Sequence, residues 1–496
     1  MNYLAVRLTF LSVLFAICFV PSRAQSLAEF KAMSTYSKED VNLLDRLKIQ
    51  IEEEMSITSS TRRDEINRVY RAIGKRLRLM VAKNEFIRDT SLQQFVQATV
   101  QKLVAANHLK FPPKLILIQN SATVNALSAA DGTLIIYVGL LSKIDNESQL
   151  AFVLAHEMAH FELQHVRQRI TESIEDELMK KEVQNLKDLA GNDDSSETME
   201  NLKKIWYYQG VNSRARERKA DSLAFEMMDN AGFALSEAIS ILTILDQSKL
   251  PKTDLDFMMQ LDLPHYPLKD EWLRKRPSIF SRSAESVFFE KDSIVSHPDL
   301  ELRMKMLARK IVSLSGELNY QSKNFLKEMV LSAWFQSIES TFVKEDFDQC
   351  LYLALKLRER YPTDSYLTLT IAKVFAGLYE RKSFDYDFYL VLPKYTVGYN
   401  DELRIVNEFL HNMKQDEYGE MAYSFLSYEN NFNPTSAEHY QLLWDICSMT
   451  NHIKERKEIK KAYNEKLEDR KFKGKMILYT PYKTKLKKKI FIVNTH

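Results

Sequence analysis

Glycine and proline are scarce in this chain, with 11 and 12 residues respectively among 496. Both residue types interrupt regular structure and build tight turns, so their scarcity favours a mostly helical chain with few sharp turns. After the first 20 residues, no apolar run approaches the roughly 18 residues that a membrane-spanning helix needs. The rest of the composition, 45% hydrophobic and 27% charged, is that of an ordinary globular protein, and the length allows two or three domains.

A charge excess is also absent. Lysine and arginine number 69 against 67 acidic residues, and removal of residues 1–24 would take away Arg7 and Arg23 and no acid. The remaining chain is formally neutral, which gives no electrostatic reason to expect nucleic acid as a partner. Cysteine is limited to three residues. Cys350 and Cys447 could form a disulfide in an oxidising compartment, or could stay free and buried in predicted helices.

The first 24 residues have the pattern of a secretory signal peptide. Arg7 supplies a basic start, residues 8–20 form a mainly apolar core, and Ser22-Arg23-Ala24 fits a cleavage site with small residues at both ends. We therefore expect an exported protein of the periplasm or cell envelope, whose mature chain begins near Gln25. An uncleaved membrane anchor is the alternative, although the apolar run is short for a spanning helix.

The most informative motif is His-Glu-Met-Ala-His at residues 156–160. Two histidines at positions i and i+4 lie one turn apart on one face of a helix, where both imidazoles can bind one zinc ion. Glu157 follows the first histidine, where its carboxylate can accept a proton from the attacking water. Asn146 is a plausible N-cap for this helix. His165 lies about 500° further around a continuous helix than His160, so we expect it off the ligand face, either behind the ligands or at the surface.

A catalytic zinc site usually takes a third protein ligand. Glu217 and Asp221 are again four residues apart, at the start of a predicted helix that becomes apolar further on. Glu217 could bind the metal while Asp221 holds a histidine ring in the required tautomer. A solvated, charged helix is the alternative for any isolated pair of this kind.

Other motifs in the same order strengthen the zinc hypothesis. Residues 217–221 read Glu-Arg-Lys-Ala-Asp. Further matching stretches are Asn125–Ser128 with Gly132–Leu141, Ala231–Phe233, and Ser296-His297-Pro298 with Arg303. Together, over roughly residues 86–312, these motifs resemble the HtpX/BepA/Oma-type zinc metallopeptidases. The soluble, exported BepA-like branch is the most similar, since no later membrane-spanning run is present.

This resemblance implies a gluzincin-type catalytic domain with a small β-sheet and a zinc helix. It implies His156, His160 and Glu217 as ligands of one Zn²⁺ per chain, with Glu157 as general base. In BepA-type enzymes the histidine of the closing motif can reach the metal and block it, which makes His297 a candidate regulatory ligand. A loop histidine near the start of the next helix is the alternative.

Hydrolysis of a peptide bond also calls for a donor to the oxyanion. Arg303, His297 or a tyrosine could supply it, and the sequence does not choose among them.

The chain divides into five predicted segments. These are a signal peptide (1–24), an N-terminal helical segment that packs on the catalytic domain (25–85), the metallopeptidase domain (86–312), a tetratricopeptide-like helical domain (313–450) and a basic tail (451–496). Strands are expected at Leu115–Gln119 and Thr133–Val138. If the second of these is an edge strand, an extended substrate could pair with it through its main chain. Residues 250–292 are interpreted as an insertion, either a lid beside the cleft or a surface elaboration.

The prediction of repeats in the C-terminal half depends on two similar landmarks. Val343–Asp348 with Arg360-Tyr361-Pro362 returns about 70 residues later as Met413–Gly419 with Phe432-Asn433-Pro434, roughly twice a 34-residue tetratricopeptide unit. Stacked helix pairs would offer a surface for envelope protein partners, and a plain helical bundle is the alternative. The basic tail could contact anionic lipid or an acidic partner, or be a solvated end.

These observations favour a mostly α (α+β) protein that acts as a zinc endopeptidase on misfolded or misassembled envelope proteins. The alternative is a regulated or silent protease that acts mainly as a repeat-based binding protein or chaperone.

Overall fold

The computed structural model describes residues 30–58, 62–175, 214–247, 256–274, 300–313, 324–382, 391–393, 401–450 and 452–466. The predicted signal peptide, His297 and the end of the basic tail lie outside these ranges. The helices before the C-terminal half are α1 Val41–Ser56, α2 Arg63–Ala82, α3 Thr90–Ala106, α4 Val138–Leu141, α5 Glu147–Glu162, α6 His165–Glu175, α7 Arg214–Asn230, α8 Glu237–Gln247 and α9 Leu300–Ser313. The strands are β1 Phe86–Ile87, β2 Leu115–Gln119, β3 Ala126–Ser128 and β4 Thr133–Tyr137. The prediction of a mostly helical protein with one small sheet is confirmed.

The four strands form one mixed sheet in the order β1-β2-β4-β3. Strands β2 and β4 are parallel, with Ile118 opposite Ile136, and β3 runs antiparallel to β4, with Leu127 opposite Ile135. Pairing of a substrate with the Thr133 strand was conditional on that strand being an edge, and this condition is not met. β4 is paired on both sides, since the chain turns back through β3 before it, and β3 is the edge strand.

The second predicted strand also ends earlier than expected, at Tyr137. From Val138 the chain continues as the short helix α4. The Gly139 amide donates to the Ser121 carbonyl at 2.9 Å, and a Cβ at Gly139 would lie 2.1 Å from the carbonyl oxygen of Ala122. A helical turn fits into this space only because residue 139 has no side chain.

Alternate side chains of the central strands enter two different cores. Leu117 and Ile135 contact the buried faces of α1, α2 and α6. Ile118 and Ile136 point the other way, into a core that includes α3, α5, α7 and α8. The N-terminal helices thus cover one face of the sheet, and α5, the predicted zinc helix, lies against the other.

Asp131 occupies the tight turn between β3 and β4 and is fully buried. Its carboxylate accepts hydrogen bonds from the Thr133 amide at 3.0 Å and the Thr133 hydroxyl at 2.9 Å. Burial nevertheless raises the pKa of this carboxyl to about 6. Because the folded pKa exceeds that of the unfolded chain, roughly 3.9, this group favours folding below pH ~4, and the contribution is lost as the pH rises through 6.

Replacing Asp131 with asparagine should remove this pH dependence. Between pH 4 and pH 8, the free energy of unfolding of the variant should rise relative to wild type by roughly 2–3 kcal/mol. Urea titrations followed by circular dichroism at both pH values measure the change. Asp145→Asn, at an exposed site, is the matched control. An Asp131→Asn variant that stays parallel to wild type across this range would contradict a carboxyl pKa near 6.

The C-terminal half is built from helices α10 Asn324–Lys344, α11 Phe347–Arg358, α12 Ser365–Lys382, α13 Asp401–Asn412, α14 Gln415–Ser427, α15 Ala437–Met449 and α16 Ile453–Lys466. Helix α10 is shared between the two halves of the protein. Met329 and Ala333 belong to the core around the zinc helix, whereas Phe335 and Ile338 belong to the core of the C-terminal helices. Close helix pairs occur at both sequence landmarks, since α10 and α11 meet at residues 344–347, and α13 and α14 at residues 412–415. Their assignment as tetratricopeptide-like repeats stays a prediction.

Residues 256–274, the described part of the expected insertion, pack into the C-terminal helical core. Phe257, Leu261 and Trp272 are buried there. The Trp272 indole N–H donates to Glu417 Oε2 at 3.0 Å, and Lys269 Nζ lies 2.5 Å from Glu417 Oε1. This stretch is therefore neither a lid on the metal cleft nor a surface elaboration, but a part of the helical half.

Two further expectations concern the cysteines and the membrane. Cys350 and Cys447 are both free and buried, which agrees with the second of the two alternatives. Among the helices that the structure describes, none is both long enough and apolar enough to cross a membrane.

Candidate active site

Helix α5 brings the two motif histidines into the protein interior. It begins after Asn146, whose side chain accepts from the Gln149 amide at 3.0 Å, so the predicted N-cap is present. All residues from Ser148 to His160 are buried, which is unusual for a helix that carries charged groups. A fully enclosed helix fixes the rotamers of His156 and His160, because neighbouring side chains leave them little space to move.

Helix α7 crosses α5 and places Glu217 opposite the two histidines. Glu217 Oε2 lies 3.4 Å from His156 Nε2, and Glu217 Oε1 lies 3.4 Å from His160 Nε2. The two Nε2 atoms are 3.0 Å apart. Tetrahedral coordination with bonds of roughly 2.0–2.1 Å separates ligand atoms by about 3.3 Å, so this triangle fits a single small metal ion. Among the described residues, these three side chains form the group that could hold a metal.

Asp221 lies one turn after Glu217 and orients His156. Its Oδ1 lies 2.9 Å from His156 Nδ1. Burial would lower the pKa of the His156 ring, but hydrogen bonds to Asp221 and Glu217 outweigh burial and raise that pKa to about 9. In the protein without metal the imidazole is therefore protonated at neutral pH, and a metal ion displaces this proton when it binds.

Arg303 of helix α9 closes the site behind Asp221. Its Nε and Nη2 donate to the two Asp221 carboxylate oxygens at 2.7 and 2.6 Å. Burial would raise the pKa of the Asp221 carboxyl, but hydrogen bonds from His156 and Arg303 keep that pKa below its usual value. Two of its donors are held by Asp221, and its Nη1 lies 3.8 Å from Glu217 Oε2. Because its donors are engaged by these carboxylates, the geometry favours an orienting role for Arg303 over the oxyanion-donor role, for which it was one candidate.

His165 contacts the second ligand from behind. Helix α5 ends at Glu162, and Gln164 adopts a left-handed conformation with φ of 55° before α6 begins at His165. Because the helix breaks here, the expected rotation of about 500° does not apply, and His165 Nδ1 lies 3.0 Å from His160 Nδ1. Burial, with Arg216 and Arg169 nearby, lowers the pKa of His165 to about 4. A neutral His165 can accept the His160 Nδ1 proton and leave His160 Nε2 free to bind metal.

Glu157 faces the edge of the sheet. Its Oε2 accepts a hydrogen bond from the Ser128 amide, on edge strand β3, at 3.0 Å. This contact fixes the carboxylate next to the histidine pair and next to a strand whose outer side carries no other strand of the described sheet. From the sequence, residues 125–128 were associated with the site only through the family resemblance. Strand β3 has three residues, which are too few to show an alternating strand pattern.

The structure thus brings together His156, Glu157, His160, Glu217 and Asp221, with Arg303 beside them. The remaining sequence candidate, His297, lies outside the described residues. Sequence reasoning missed the contact of the Ser128 amide with Glu157. A place for His165 behind the ligands was one of its two expected alternatives, but the direct contact with His160 was not foreseen.

Residues 90–311 match the sequence profile of Peptidase family M48. The chain is 34% identical to the beta-barrel assembly-enhancing protease of Yersinia pestis over 97 aligned residues. The aligned stretch makes up 19% of this chain and 20% of that protein. It is 37% identical to the protein of the same name from Escherichia coli strain K12 over 81 aligned residues, and this stretch makes up 16% of each chain. The match thus spans a fifth or less of the length of these curated relatives. The motifs, the metal-ligand triangle and the profile match agree, so residues 90–311 are assigned to peptidase family M48, a family of metallopeptidases.

Proposed function

We propose that the protein is a zinc-dependent endopeptidase that hydrolyses peptide bonds in misfolded or misassembled proteins of the cell envelope. The observation that carries this proposal is the buried triangle of His156, His160 and Glu217 with the Glu157 carboxylate beside it. Two imidazoles and one carboxylate are a donor set of catalytic zinc sites, which keep a fourth position open. Zinc bound there would polarise a peptide carbonyl and acidify a water molecule.

The chain's own residues supply the proton transfer. Glu157, held by the Ser128 amide, accepts the proton of the attacking water and delivers it to the leaving amine. Asp221 and His165 hold the rings of His156 and His160 so that both Nε2 atoms face the same point. These contacts fix the site before substrate arrives, so little reorganisation is needed during the reaction.

Edge strand β3 supports an extended polypeptide as the substrate. An extended segment can pair with the outer side of an edge strand through main-chain hydrogen bonds, which read the backbone more than the side chains. The Ser128 amide that binds Glu157 belongs to this same strand, so a paired segment would pass beside the catalytic carboxylate. This recognition mode suits unfolded protein segments of varied sequence.

The envelope location and substrate class are supported by two further observations. The N-terminal pattern is that of a secretory signal, and the matched relatives carry a name that refers to β-barrel assembly. The C-terminal helices would then dock substrate or partner proteins. A regulated or silent protease that acts mainly through these helices is the alternative, favoured by the separate core that they enclose.

Metal removal tests the proposal. The mature wild-type protein should bind about one zinc ion per chain, cleave β-casein, lose cleavage with a chelator and regain it with one equivalent of zinc. Glu217→Ala should lose metal and activity together, because two imidazoles alone bind zinc weakly. Mass spectrometry under native conditions and gel assays give the two readouts. Full zinc occupancy without casein cleavage would instead support the binding-protein alternative.

A further inference from the structure

Helix α6 carries a second side chain beside the active site, one turn after His165. Arg169 follows His165 by four residues, so both lie on the same face of α6. His165 contacts the ligand His160 at 3.0 Å. The Arg169 charge acts on His165 and interacts favourably with Glu217 and Glu157, which places its guanidinium in the field of both the metal triangle and the general base.

Within the described ranges, the Nε of this arginine lacks a hydrogen-bond partner. It is half-buried, and its Nε is fully buried without a hydrogen-bond acceptor. The neighbouring Glu172, on the same helix, pairs with Arg216 instead. Burial, only partly offset by Glu217, lowers the pKa of Arg169 to about 10, and at neutral pH the side chain stays charged.

A half-buried cation with a buried, unpaired N–H is costly, and such groups are concentrated at sites where a ligand completes them. The reaction proposed above generates negative charge on one atom, the oxygen of the attacked carbonyl. As the water oxygen bonds to the carbonyl carbon, the π electron pair moves onto that oxygen, while the water proton goes to Glu157. Arg303 directs its donors at Asp221, which leaves the position of oxyanion donor to another side chain.

We propose that Arg169 is this donor, and that it binds the carbonyl oxygen of the scissile peptide bond more tightly as the oxygen becomes negative. The ligand class is a polypeptide main-chain carbonyl next to the metal triangle. The proposal rests on the proposed endopeptidase function. A preorganised donor of this kind acts mainly on the transition state, so it should affect kcat more than KM.

Arg169→Gln tests the proposal in the full-length, zinc-loaded protein. With fluorescently labelled β-casein as substrate, kcat should fall by about 10²-fold while KM changes by less than about threefold. Arg169→Lys keeps the charge without the planar fork and should recover part of kcat. Arg71→Gln, an exposed arginine on α2, is the matched control and should behave as wild type.

Zinc affinity provides a readout that does not depend on turnover. Removing a cation beside Glu217 should leave zinc affinity unchanged or slightly higher, because Arg169 repels a metal ion. Weaker zinc binding in Arg169→Gln would indicate a structural role and overturn the proposal. Wild-type kcat in that variant, with an active wild-type enzyme, would overturn the role of Arg169 alone. A zinc-loaded wild type that does not cleave casein would overturn the proposed function and this inference together.

Discussion

Replacing Glu157 with glutamine should reduce casein cleavage by about 10²–10⁴-fold while metal binding and the fold are retained. The physical reason is that glutamine cannot accept the proton of the attacking water. Its amide oxygen can still accept the Ser128 amide that now binds Glu157 Oε2 at 3.0 Å, so the position of the side chain should change little. Zinc stoichiometry, thermal unfolding and the rate of cleavage, measured on one preparation, separate chemistry from folding.

Glu162→Gln is the matched control for this experiment. Glu162 lies at the end of the same helix and accepts from the Lys110 and Phe111 amides at 3.0 and 2.7 Å, away from the metal ligands. The same change there should leave cleavage near the wild-type rate. Comparable turnover by Glu157→Gln and wild type would show that Glu157 is not the base, whereas equal losses in both variants would point to a helix effect.

Replacing Arg303 with alanine should weaken both the fold and the metal site. Arg303 and Asp221 are both buried and share two hydrogen bonds, at 2.7 and 2.6 Å. Loss of one partner leaves the other charge uncompensated, which typically destabilises a protein by about 3–5 kcal/mol. Asp221 would also lose the contact that orients it toward His156, so zinc affinity should fall by about 10–100-fold.

Thermal unfolding and competitive zinc titration measure the two effects of Arg303→Ala. Arg309→Ala, an exposed position on the same helix, is the control for loss of an arginine. The double variant Arg303→Ala with Asp221→Ala should be more stable than the sum of the single changes suggests, because it removes both charges of the buried pair. Additive losses would mean that the two side chains act independently, against the geometry.

The sequence was most informative where local periodicity and chemistry agree. Helix α5 begins after Asn146, as its capping signal predicts, and the four-residue spacing placed His156 beside His160. The same spacing rule placed Glu217 and Asp221 on one face of α7. Such predictions succeed because one turn of helix fixes the relation between the side chains, whatever the rest of the protein does.

Features that depend on long-range packing could not be obtained in this way. The sequence left open whether β4 is an edge strand, and pairing with β2 and β3 encloses it on both sides. The left-handed Gln164 turned His165 toward His160, although glutamine is not a residue type that predicts such a conformation. The aromatic and apolar side chains of residues 256–274 indicated that this segment is buried. They could not indicate that it packs into the C-terminal helical core.

The route of this last segment ties the two halves of the protein together. The chain leaves the zinc-helix core after α8, inserts Trp272 and its neighbours into the C-terminal helical core, and returns to the active site with Arg303. No single cut therefore separates the protease from the helices. A fragment that stops at residue 312 would keep Phe257, Leu261 and Trp272 and lose the core that covers them. The helical half is thus a folding partner of the protease within one polypeptide.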